Sequence, residues 1–134
     1  PQYLPARRLF GAVYLQIGRT EDALAVPAAA QAEARHDPVY AASLSNARAL
    51  AGDAAGAAEL VAGLPRLGAT RYLSRYHLAL AYVGIGDCDS AFAALEQAVV
   101  DSDPALIYLA VEHRFEPIRP DPRYARLLDL LGLS

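Results

Sequence analysis

Methionine and tryptophan are missing from these 134 residues, and cysteine occurs once, as Cys88. A single thiol cannot close an internal disulfide, which fits a reducing compartment such as the cytoplasm. Methionine is missing even at position 1, and Pro1-Gln2-Tyr3 leads straight into structured-looking sequence, so the chain reads as a piece of a longer one. No stretch of about 18 uncharged apolar residues occurs, and no charged N-terminal segment precedes an apolar one; neither a membrane span nor a signal peptide is legible. Blocks of Lys or Arg are missing too, the 12 basic residues being scattered among 15 acidic ones for a formal charge of -3. Phosphate backbones reward concentrated positive charge, so nucleic acid is not an expected partner. Hydrophobic residues, by contrast, make up 54% of the chain, enough for a single domain over residues 1–134 to bury a core.

A repeat organises the chain. Gly18, Gly52 and Gly86 stand 34 residues apart, each between two apolar-periodic runs. Five residues after each comes an alanine, at Ala23, Ala57 and Ala91, and seven before each comes a small residue, at Gly11, Ser45 and Ala79. Small side chains at matched places let helices approach closely. Phe10, Val13, Tyr14 and Ile17 fall at i, i+3, i+4 and i+7, as do Leu78, Ala81, Tyr82 and Ile85, so each set lies on one helical face. Gly52 hands over to Asp53 and Gly86 to Asp87, a C-terminal glycine followed by an N-cap. No run alternates with period two for long enough to predict a strand. Helices are expected near 4–17, 20–34, 39–51, 54–64, 71–85, 88–100, 104–113 and 122–131. Pro27 predicts a bend or break in the second of these. At the tail, Asp121-Pro122 is a cap followed by proline at the first helical position, and Gly132 is a stop.

On these signals the chain resembles the tetratricopeptide repeat family, whose unit is a 34-residue helix-turn-helix. Residues 72–105 carry the closest match, in Leu78-Ala79, Tyr82, Gly86-Asp87, Ala91, Leu95, Ala98 and Asp103-Pro104. Residues 4–37 and 38–71 form the other two units, the second weakened by Arg48 in place of an aromatic and by Gly56 and Gly63. Residues 106–134 would add a further helix and a C-terminal capping helix, an ending similar to that of many bacterial tetratricopeptide arrays in larger regulators. The resemblance implies an all-α, right-handed solenoid of helical hairpins that works as a non-catalytic protein-interaction module, binding a peptide or helix in its concave groove. The alternative it implies is a sensory or dimerising part of a larger bacterial regulator or enzyme, acting on its own protein.

The same geometry implies a groove lined by the first helix of each pair: Arg8, Ala12, Leu15 and Gln16, then Ala42, Ser43, Asn46 and Ala49, then Leu73, Tyr76, His77, Leu80 and Val83. Arg8, Gln16, Asn46, Leu73, Tyr76, His77 and Leu80 are the candidate ligand-contacting residues. Asn46 is suited to a ligand backbone, and Tyr76 and His77 to flat amphipathic contact or, more plainly, to packing between helices. One branch of the family grips a terminal carboxylate with Lys, Arg and Asn. Here Arg8 alone matches, with Ala12, Ser43, Leu73 and His77 at the places where amide or basic groups belong.

Chemistry of other kinds finds little support. His36, His77 and His113 lie on different segments without a partner at ligand spacing, so no metal site and no cofactor is expected. Asp87-Cys88-Asp89-Ser90 places a thiol between carboxylates, but at a helix start, where Asp is a cap and neighbouring acids disfavour a thiolate. Gly84-Ile85-Gly86 lacks the preceding strand of a dinucleotide loop. Arg114, Arg119, Arg123 and Arg126 alternate with Glu112, Glu116, Asp121 and Asp129, which reads as a salt-bridged surface. No enzyme is expected. The apolar face of the first helix, with Leu9, Phe10, Val13 and Ile17, has no polar helix before it and is expected to meet upstream repeats or a second copy, giving a homodimer through the first pair.

Overall fold

The structure is a computed structural model that describes residues 38–69 and 72–134. Every regular element among them is helical: α1 (Pro38–Leu50), α2 (Ala54–Gly68), α3 (Arg75–Gly84), α4 (Cys88–Val100), two 3-10 segments (Pro104–Tyr108 and His113–Ile118) and α5 (Pro122–Leu131). The predicted helices near 4–17 and 20–34, the bend at Pro27 and the N-terminal dimer face lie outside the described residues.

Turn chemistry builds two helical hairpins. After α1, Gly52 takes φ +85° and lets the Asp53 amide donate to Arg48 O at 2.9 Å; after α3, Gly86 takes φ +79° and the Asp87 amide donates to Tyr82 O at 3.0 Å. These bonds satisfy carbonyls that a helix end otherwise leaves bare. Each aspartate then caps the following helix, Asp53 accepting from the Gly56 amide at 2.9 Å and Asp87 from the Ser90 amide at 3.1 Å. The chain thereby reverses twice, and α1 packs on α2 as α3 packs on α4.

The hairpins join through their first helices, α1 lying against α3. Small residues make that approach possible. Ser45 and Ala79 are both fully buried, as are Ala57 and Ala91 on the second helices. At Gly84 a Cβ would stand 3.0 Å from the Asn46 Cα, so no larger residue fits there without movement. Around these contacts Leu64, Leu80, Phe92 and Leu95 form an apolar interior with 1% exposure or less.

Three boundaries differ from expectation. Helix α2 runs past Pro65 to Gly68 and does not stop at 64. The proline removes one backbone donor, but the extra turn packs Leu67 against the core behind a fully buried Leu64, which offsets the loss. Helix α3 starts at Arg75, not 71, because Ser74 is its cap: the hydroxyl accepts from the His77 amide and donates to Asp103 at 2.6 Å. The helix expected over 104–113 is replaced by the two 3-10 segments. Asp103, Leu106, Leu109, Glu112, Phe115 and Ile118 are all buried, one residue in every three, which is the period of a 3-10 helix and not of an α-helix.

The tail closes on the second hairpin. Asp121 caps α5 and Gly132, at φ +68°, ends it, as the sequence predicts. The Tyr124 hydroxyl donates to Leu109 O, and its ring meets Phe115, which in turn meets Tyr76 of α3 edge-on at 5.3 Å. Arg123 spans the seam: its guanidinium lies 4.2 Å from the Phe92 ring centroid and bonds both Asp89 and Asp121.

Candidate functional site

The first helices and the 3-10 segments enclose a cavity of about 350 Å³. Val39 and Ser43 come from α1, Tyr76 and His77 from α3, and Ala105, Tyr108, Val111 and the Glu112–Arg114 stretch from the tail. The α1 side is placed by the α1–α3 contact. The α3 side is placed by Asp103, whose carboxylate takes the Ser74 hydroxyl, the Tyr76 amide at 3.4 Å and the Ala105 amide at 3.0 Å. One buried carboxylate therefore fixes the start of α3 and the start of the first 3-10 segment relative to each other. Burial pushes the Asp103 carboxyl up, but these hydrogen bonds and the nearby His77 more than reverse that, holding it below the usual carboxylate range.

The wall opposite α3 carries the one buried ion pair among the described residues at this site. Glu112 is 8% exposed and accepts from Arg114 Nε at 2.9 Å and from Nη2 at 2.6 Å, as well as from the Arg114 amide. Burial again works to raise the Glu112 carboxyl, and the Arg114 bonds and charge bring it below its ordinary value. The pair is neutralised within itself. Around it, Tyr108 and Val111 remain 57% and 73% exposed and give the cavity an apolar rim.

At the floor, Tyr76 is 2% exposed, and its hydroxyl is buried with no hydrogen-bond partner. Burial, then the neighbouring Glu112, pushes the phenol well above its ordinary range, so the group remains a neutral O–H. Its ring is held edge-on between His77, at 5.5 Å, and Phe115. A stranded hydroxyl is costly in an interior, and although Tyr76 borders the cavity its oxygen is covered from solvent.

Of the residues expected to meet a ligand, this cavity brings together Tyr76 and His77, with Ser43 beside them. Asn46 and Leu80 join each other instead. Asn46 Nδ2 donates to Leu80 O at 3.3 Å across the α1–α3 contact, and both residues are buried, at 3% and 1% exposure. That bond orients the amide, so Asn46 Oδ1 is the atom left buried without a partner. Leu73 is half-buried and packs on Gly68 at the edge of the core. Arg8 and Gln16 lie outside the described residues. Sequence reasoning missed Tyr108, Val111, Glu112 and Arg114 as members of the site. The available signal was the burial period of three from Asp103 to Ile118, obscured by its two acidic members.

The arrangement offers no activated nucleophile. The Ser74 hydroxyl proton is committed to Asp103, and Ser43 donates to Val39 O at 3.0 Å within its own helix. Cys88 is a free, half-buried thiol in the first turn of α4. Among the described residues no three of His, Cys, Asp or Glu converge as metal ligands, and no helix is long and apolar enough to cross a membrane. Of the tail arginines, Arg119 pairs with Glu116 and Arg123 with Asp89 and Asp121 nearer the surface, while the Arg114–Glu112 pair is buried. Compared with family models, with curated proteins and with solved structures, the chain matches none.

Proposed function

We propose that this chain is a non-catalytic protein-interaction module, a right-handed solenoid of tetratricopeptide-like hairpins that holds a peptide or helical segment against its first helices. The observation that carries the reading is the cavity between α1, α3 and the 3-10 segments, rimmed by the exposed Tyr108 and Val111. Two further facts support it. The hairpins meet through residues one repeat apart, Asn46 and Leu80 being separated by 34 positions, as stacking of like units requires. The Ser74 hydroxyl and the Glu112 carboxylate at the site are already engaged, by Asp103 and Arg114, which suits binding and not bond-breaking. The cytoplasm is the setting that fits an unpaired thiol at Cys88.

Selection of a displayed library of random 12-residue peptides on the full chain tests this, with calorimetry on the peptides recovered. Expected are peptides with dissociation constants on the order of micromolar that compete with one another. A chain that retains none above background would overturn the module reading.

A further inference from the structure

We infer that residues 110–120 are a lid, which lifts as one unit off the face of α3 that carries Tyr76 and thereby admits the peptide or helical segment proposed above. The admission step rests on the interaction-module reading; the lifting of the lid does not.

The base of the segment is closed. The Tyr124 hydroxyl donates to Leu109 O, which joins the residue just before the lid to α5 just after it. Asp103 ties the first 3-10 segment to the start of α3, and Arg123 ties α5 to Asp89 and Phe92 of α4. Eleven residues with their ends held together in this way have the form of an Ω-loop, whose movement leaves its surroundings in place.

The polar groups of the lid are satisfied within itself and its base. Glu112 holds Arg114, Arg119 bonds Glu116 and Ala110 O, the Phe115 amide donates to Glu112 O, and the Glu112 amide to Tyr108 O. Among the described residues, no hydrogen bond or ion pair runs from 110–120 to any of the helices α1 to α4. What holds the segment on α3 is apolar: Phe115, fully buried and edge-on to the Tyr76 ring at 5.3 Å, and Ile118. Lifting it therefore strands no polar group, and regions held in this way open locally.

The closed position also carries a cost that opening removes. The Tyr76 hydroxyl is buried without a partner, and the charged groups that bear on it, Glu112, Arg114 and Asp103, all follow α4 in the chain, the first two within the lid. Raising the lid opens that side of the phenol to water. Val111 and the Glu112–Arg114 stretch also form one wall of the cavity, so the same movement widens it onto α3.

Amide exchange followed by NMR on the full chain tests the lid. The amides of Phe115 and Arg119 should exchange at least about tenfold faster than those of Phe92 and Leu95 in α4, and low urea should accelerate the α4 amides while leaving the lid amides nearly unchanged. Ile118→Val, which removes one buried methylene, should speed the lid amides about fivefold, and Tyr76→Phe, which ends the cost of closure, should slow them about fivefold. Lid amides that respond to urea as steeply as α4, or that ignore both substitutions, would overturn the inference: the first means opening only by global unfolding, the second fraying without a lid. Peptides recovered by selection should bind Ile118→Val more tightly and Tyr76→Phe more weakly by the same factors, since affinity scales with the open fraction. Equal affinity for all three chains would overturn the admission step and leave the module reading in place. Lid amides that behave as expected in a chain that retains no peptide would support the lid and overturn the module reading alone.

Discussion

Replacing Tyr76 by phenylalanine should make this protein more stable. The ring would keep its edge-on contacts with Phe115 and His77, since only the hydroxyl is removed. That hydroxyl is buried with no partner, and a stranded polar group of this kind costs about 1–3 kcal/mol. The lower end applies, because removing a fully covered oxygen also leaves a small void where it was packed. A gain of about 1 kcal/mol follows. With an unfolding entropy of about 2.1 cal/mol/K per residue, this raises the melting temperature of a 134-residue chain by about 3–4 °C. Urea unfolding followed by circular dichroism should show a higher midpoint with an unchanged slope, since the surface exposed on unfolding hardly differs. A lower midpoint, equivalent to losing 1 kcal/mol or more, would refute the reasoning, because it would mean that the hydroxyl has a partner in the folded state.

Asp103→Asn should cost about 2–3 kcal/mol by equilibrium unfolding, since the ionised carboxylate takes the Ser74 hydroxyl and two backbone amides in a buried site. The Asp103 and Glu112 carboxyls are both held below their ordinary values, so their stabilisation is complete above about pH 5 and drains away as pH falls below about 4. The wild-type midpoint should therefore drop on acidification, and Asp103→Asn should drop less steeply; parallel profiles would contradict this. Arg123→Ala removes the bonds to Asp89 and Asp121 and the contact with Phe92, so hydrogen exchange should quicken in residues 122–131 while α1 is unaffected. Ser102 holds φ +53° where α1, α3 and α5 are stopped by glycine, and Ser102→Gly should gain about 0.5 kcal/mol by relieving that conformation, read as a raised urea midpoint.

The sequence by itself determined whatever depends on residues close along the chain. Gly52-Asp53, Gly86-Asp87 and Asp121-Pro122 mark helix ends because the stop, the cap and the bonds they make lie within five residues of each other. The small residues at 45 and 79 and at 57 and 91 foretold close packing for the same reason, since their positions within each hairpin are set by the repeat. Tertiary structure alone decided the site. Helix α3 begins at Arg75, capped by Ser74, because Asp103, 29 positions from the cap, holds its hydroxyl. The segment 104–118 winds with period three because Asp103 and Glu112 can be buried beside Leu106, Leu109, Phe115 and Ile118, and that requires Ser74, Tyr76 and Arg114 to satisfy them. Asn46 meets Leu80 because the close approach of α3 brings the Leu80 carbonyl, 34 positions away, within reach of its amide. A polar residue's fate is set by the partner that desolvation forces on it, and that partner is chosen by the fold.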